Sequence, residues 1–200
     1  MKNIQKQQFV KIAGILLFAV SASVVTGQPY QNGEFKAKNN TYSCKIGEIV
    51  PLPRNFYLKS DDKYYQFFNT KNVLRDQESG LLAKEVVLPK IDSERKFFEL
   101  LCEVYGGKEK MEAMGPEKIH INCWIGMDHI VKEVKITVKT PEKPITTIFQ
   151  VEAIENLVKE RIRFDFDREC FVYRYAIYTK QETKYYTISE IPKLLEEMKQ

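Results

Sequence analysis

Residues 118–138 alternate more strictly than any other stretch of this 200-residue chain. Ile119, Ile121, Cys123 and Ile125 fall on one side of an extended backbone, and His120, Asn122 and Trp124 on the other. Gly126 to His129 forms a tight connection. Ile130 to Val138 then resumes the alternation, with Val134, Ile136 and Val138 opposed to Glu133, Lys135 and Thr137. Two period-two runs across a short turn predict an antiparallel hairpin with one apolar face. A lone hairpin is marginal in water, so that face needs a cover.

The flanking residues supply one. Asp92 is a candidate N-cap, and Ser93 to Tyr105 places Phe97, Phe98, Leu101, Cys102 and Val104/Tyr105 on one helical stripe, stopped by Gly106-Gly107. After the polar loop Thr140–Pro144, Thr147 and Gln150 have capping-box spacing. Val151, Ile154, Leu157, Val158 and Ile162 form the next stripe, with Glu152, Glu155, Lys159, Glu160 and Arg163 expected in solvent. A tyrosine-rich strand is predicted over Cys170–Thr179. A short C-terminal helix follows, capped by Thr187 with Glu190 and lined by Ile191, Leu194, Leu195 and Met198. Helix, strand, strand, helix, strand, helix is an α+β order, with an antiparallel sheet whose helices pack on one face.

Residues 28–90 are strand-like and irregular. A polar lead-in, Gln28–Asn40, precedes short strands predicted at Thr41–Ile46, Lys63–Phe68 and Lys84–Leu88, with Pro51, Pro53 and Pro89 as interruptions. The chain therefore divides into a leader (1–27), a strand-rich N-terminal part (28–90) and an α+β core (91–200).

The leader has Lys2, Lys6 and Lys11 ahead of an apolar run, Ile12–Val25. That run is shorter than the roughly 20 residues a spanning helix needs. It fits the h-region of a signal peptide cleaved near Gly27, leaving Gln28 first. A second candidate cut follows Ala22. No cysteine closes the run, so no lipid-anchor signal is read. The mature product is expected in the periplasm or secreted, with no membrane span after signal removal. The whole chain has 31 Lys+Arg against 27 Asp+Glu, a net +4. Without the three leader lysines the remaining 28 bases nearly balance 27 acids, a net +1. A nearly neutral body with interleaved acids argues against nucleic-acid partners.

An oxidising destination makes Cys44, Cys102, Cys123 and Cys170 candidate disulfide partners, their pairing unspecified. Cys102 and Cys123 also sit on core-facing patterns, where a thiol behaves as a small hydrophobe. Both readings stay open. No close Cys spacing supports a zinc or redox site, and no cofactor or metal is expected.

The stretches KIHINCWIGMDHIVKEVKITV, VEAIENLVKERIRF and ECFVYRYAIYTK together resemble the C-terminal domain of the TonB family over residues 118–179. The resemblance implies a hairpin, an amphipathic helix and a final strand in one sheet. It departs at His129, where the family carries Gly after the turn Asp, and at Asp165-Phe166-Asp167. In overall style the chain also resembles small exported proteins of unknown function from Bacteroides-type bacteria.

Chemistry is sparse. His120 and His129 are the only imidazoles, and no metalloprotease, nucleophile-elbow or phosphate-loop motif occurs. Cys123 with a histidine would be a thiol hydrolase, but alternation sends His120 to the opposite face. Two aromatic clusters stand out: Tyr64, Tyr65, Phe67 and Phe68, and Phe171, Tyr173, Tyr175 and Tyr178. Aromatics are good strand formers, and exposed on a sheet they also bind glycan, peptide or protein. Tyr173, Tyr175 and Tyr178 are the candidate binding face. The leading expectation is a non-enzymatic interaction or structural module of a bacterial envelope. The alternatives are a small-ligand, peptide or glycan binder using that face, or an uncharacterised hydrolase.

Overall fold

The computed structural model describes residues 29–47, 62–74, 91–126, 128–164 and 178–199; the side chains of 91–93 and 178–182 are not among them. The expected strand Lys84–Leu88 and most of Cys170–Thr179 lie outside the described residues.

Strands β1 (Gly33–Lys36), β2 (Thr41–Gly47) and β3 (Lys63–Asn69) precede helices α1 (Ile91–Tyr105) and α2 (Lys108–Glu112). The hairpin β4 (Lys118–Gly126) and β5 (Val131–Thr140) leads into α3 (Ile148–Arg161). β6 (Tyr178–Glu182), β7 (Tyr186–Thr187), a single 3-10 turn (Ile188–Glu190) and α4 (Ile191–Glu197) close the chain. The fold is α+β. Every described strand pairing is antiparallel, in the order β1-β2-β3-β5-β4-β6, with β7 further along the same edge of β4.

One face of this sheet is the core. Cys44, Tyr65, Phe67, Ile119, Ile121, Cys123, Ile125, Val134, Ile136 and Val138 meet Phe97, Phe98, Leu101 and Tyr105 of α1 and Val151, Ile154 and Val158 of α3. The alternation that predicted the hairpin therefore selects the helix-covered side. β3 joins β5, so strands from before and after residue 90 share one sheet.

Local chemistry explains the ends. Thr147 and Gln150 form a reciprocal capping box on α3: the Thr147 hydroxyl accepts from Gln150 N, and Gln150 Oε1 accepts from Thr147 N. Gly106 and Gly107 have φ of 81° and 99°, values that stop α1 but let α2 start one residue later. The hairpin turn is closed by His129 N donating to Gly126 O. His129 has φ 64°, the left-handed conformation that explains why a glycine suits that place. At Gly126 a Cβ would sit 2.6 Å from Asp128 Oδ1 and 2.7 Å from Lys132 Cε, so a side chain there would displace that exposed ion pair.

Several expectations are corrected. Asp92 lies inside α1, which begins at Ile91. β1 forms within the supposed polar lead-in, and α2 had no sequence signal. Thr187 makes no side-chain cap; a 3-10 turn starts there and Pro192 sits in the first turn of α4. Glu152 and Glu155, expected in solvent, are 4% and 1% exposed.

Those acids are buried because each has donors. Glu152 accepts from the backbone N–H groups of Lys38, Asn39 and Asn40, at 2.7–3.0 Å, and so holds the β1–β2 turn. Glu155 accepts from the Tyr42 hydroxyl, Asn69 Nδ2 and the Lys159 ammonium. Glu133 holds Val73 N and Leu74 N, and Glu117 holds Ile145 N and Thr146 N. A buried carboxylate survives only with such partners.

Candidate functional site

The second face of the sheet carries the candidate side chains. Strand register sets them in rows: Lys118–Lys139–Tyr64, His120–Thr137–Gln66, Asn122–Lys135–Phe68, and Trp124 beside Glu133. Tyr64 and Trp124 are buried yet lie outside the apolar cluster beneath the helices. The first aromatic cluster of the sequence is thus split. Tyr65 and Phe67 belong to the core, Tyr64 and Phe68 to the second face.

Tyr185 completes this face, although no pattern in the sequence marks it. β6 and β7 run along one edge of β4, interrupted at Thr183–Tyr185. Across that gap the Thr183 hydroxyl accepts from Ile121 N at 3.0 Å and Thr183 N donates to Ile121 O. The side-chain bond frees the chain to depart from strand register. Tyr185 then lies on His120, with ring centroids 4.6 Å apart and planes 20° from parallel, and meets Tyr64 edge-on at 6.1 Å.

Three of the charges here already have partners. Lys139 pairs with Asp62 at 2.9 Å and lies over the Tyr64 ring, Lys135 lies over Phe68, and Glu133 is held by backbone N–H groups. Besides Lys118, what remains is the amides of Gln66 and Asn122, the Thr137 hydroxyl and the His120 imidazole. Asn122 is 1% exposed and its Oδ1 accepts no hydrogen bond. A buried carbonyl without a donor costs on the order of 1–3 kcal/mol.

Of the named binding-face tyrosines, Tyr173 and Tyr175 lie outside the described residues, and Tyr178 opens β6 with its side chain likewise undescribed. Cys44, Cys102 and Cys123 are free thiols, and Cys170 lies outside the described residues. Cys44 on β2 and Cys123 on β4 are separated by three strand spacings, about 14 Å, beyond disulfide reach. Burial pushes both thiols up to about 12. No Cys–His pair forms between them and the imidazoles: Cys123 lies under the helices, His120 on the second face, and His129 Nδ1 bonds Phe164 O at 2.8 Å. Among the described residues no cluster of metal-ligating side chains occurs, and no helix is long and apolar enough to cross a membrane.

A second concavity, about 570 Å³, opens where β3, β4 and β5 end on the helix side. Tyr65, Met114, Glu117 and Thr140 line its depth, and Lys63 and Lys143 its mouth.

No family model and no curated protein matches this sequence. The structure is similar to the crystal structure of a DUF5043 family protein from Bacteroides uniformis, with a TM-score of 0.58. The match covers 81% of this chain and 88% of that one at 14% identity, so the likeness is one of fold.

Proposed function

We propose that this chain is an exported, non-catalytic binding module of a bacterial envelope whose second sheet face takes a neutral polyhydroxyl ligand, a glycan. The observation that carries the reading is the buried Asn122 Oδ1 without a donor, flanked along its strand by Trp124 and by His120, on which Tyr185 stacks. A sugar offers both matching groups: hydroxyl donors for the amides, and C–H faces for aromatic rings. Because Lys135, Lys139 and Glu133 have internal partners and Lys118 stands two rows away from Asn122, a neutral ligand suits the surroundings of Asn122 better than an ionic one. The export part rests on the lysine-led apolar leader, and the non-catalytic part on the separation of Cys123 from both imidazoles.

Trp124 is the chain's one tryptophan, so its emission reports this face alone. Titration with a panel of neutral oligosaccharides is expected to shift it saturably, and Asn122→Ala to weaken the response. An emission insensitive to every oligosaccharide and unaffected by that substitution overturns the proposal.

A further inference from the structure

The concavity at the end of the sheet has an acidic floor that the glycan reading does not use. Four glutamates of the described residues are buried: Glu117, Glu133, Glu152 and Glu155. Glu155 has the Lys159 ammonium beside it. Glu133 and Glu152 are consumed in holding turns. Of these four, Glu117 alone lines the 570 Å³ cleft, whose rim also carries the exposed Glu142.

Its donors are all neutral: Ile145 N at 2.6 Å, Thr146 N at 3.1 Å and the Thr146 hydroxyl. Among the described residues it joins no ion pair. A carboxylate accepts about four hydrogen bonds, so one place is unfilled. Burial outweighs the three donors and holds its carboxyl above the usual range. Removing a carboxylate from water costs several kcal/mol unless a counter-charge compensates. A cation entering the cleft would supply it.

The rest of the lining narrows the class. Tyr65 and Met114 offer apolar surface near the floor, and the exposed Lys63 and Lys143 stand at the mouth. Acid within, and a rim where Lys63 and Lys143 outnumber the exposed Glu142, match a molecule with an ammonium at one end and a carboxylate at the other. A volume of about 570 Å³ lies within the usual range for small-ligand sites. We infer that this cleft binds an amino acid or short peptide, its free ammonium on Glu117 and its carboxylate toward Lys63 and Lys143.

The test is calorimetry on the mature chain with trialanine, N-acetyl-trialanine and trialanine amide. Trialanine is expected to bind, more tightly as rising pH ionises Glu117. Acetylation, which removes the ammonium, should weaken binding at least about tenfold, the equivalent of one charge-assisted hydrogen bond. Amidation should weaken it less. Glu117→Gln should abolish it. Should that variant not fold, the exposed Lys63→Ala/Lys143→Ala pair carries the test, removing the distinction between trialanine and its amide. Equal binding of the acetylated peptide, or no heat from trialanine at millimolar concentration, overturns the inference. Trp124 faces the other way, about 23 Å along β4 from Glu117, so peptide binding should leave its emission unchanged. The two proposals therefore fail independently.

Discussion

The imidazole of His120 and the phenol ring of Tyr185 stack at 4.6 Å across the edge of β4, joining a central strand to the gap between two edge strands. Thr183 makes the stack possible, since its hydroxyl takes the bond a regular strand partner would offer. Tyr185→Ala should cost about 0.5–1.5 kcal/mol beyond lost burial, the range for aromatic pairs. Urea denaturation measures this. A variant as stable as the parent would show that the stack contributes nothing to folding.

Glu152 is the strongest test of the buried acids. Glu152→Ala would leave the N–H groups of Lys38, Asn39 and Asn40 without their acceptor. A loss of about 2–4 kcal/mol is expected, allowing water to reach part of the turn. Amide exchange at those three positions should accelerate more than at β4 or β5. Uniform acceleration across the sheet would contradict the local role.

Glu117 gives a pH dependence of definite sign. Its folded pKa is raised above the ordinary 4.5 by burial. The folded state therefore holds the proton more tightly than the unfolded chain, and its stabilising contribution is complete below about pH 4.5. That contribution is lost as pH rises through the folded pKa. The stability difference between the parent and Glu117→Gln should accordingly move against the parent as pH increases from 4.5. A difference that moves the other way would mean that the three donors outweigh burial.

The thiols should react in order. Cys44 and Cys123 are buried with thiols pushed up to about 12, whereas Cys102 is half-buried and its thiol is raised by burial and the nearby Glu99. Alkylation of native protein followed by mass spectrometry should modify Cys102 first of these three. Cys44 and Cys123 should react only after unfolding. Rapid native labelling of Cys123 would refute its placement under the helices.

If the leader acts as proposed, protein isolated from the envelope should begin near Gln28. An N-terminal sequence starting at Met1 would remove the export reading.

The hairpin and the helix face were legible because alternation and stripe both report burial, and here each apolar side faces the same core. α3 was legible to its cap, since Thr147 and Gln150 satisfy each other locally. The second face was not. Residues such as Asn122, Thr137 and Trp124 read as the solvent side of a strand, yet all three are buried. Nor were the buried glutamates, whose partners lie far away in sequence: Glu152 answers to residues 38–40, and Glu133 to 73–74. Polar burial is a property of pairs, and single residues do not announce their partners. Of the aromatic face, alternation separates Tyr64 and Phe68 from Tyr65 and Phe67, but only the register of β3 on β5 tells which pair faces the core.

That β3–β5 pairing also orders events in time. Its register runs from Lys63 with Thr140 to Phe68 with Lys135, contacts about 70 residues apart, whereas β4 and β5 meet across a turn. Loop closure is costlier for the distant pair, so the hairpin with α3 can assemble first. During N-to-C synthesis β1, β2 and β3 emerge early and then wait, with one edge open, until residue 140 has appeared. An aromatic β3 with its β5 edge open is an aggregation hazard during that interval. A chain built this way gains from a holding factor until β5 arrives.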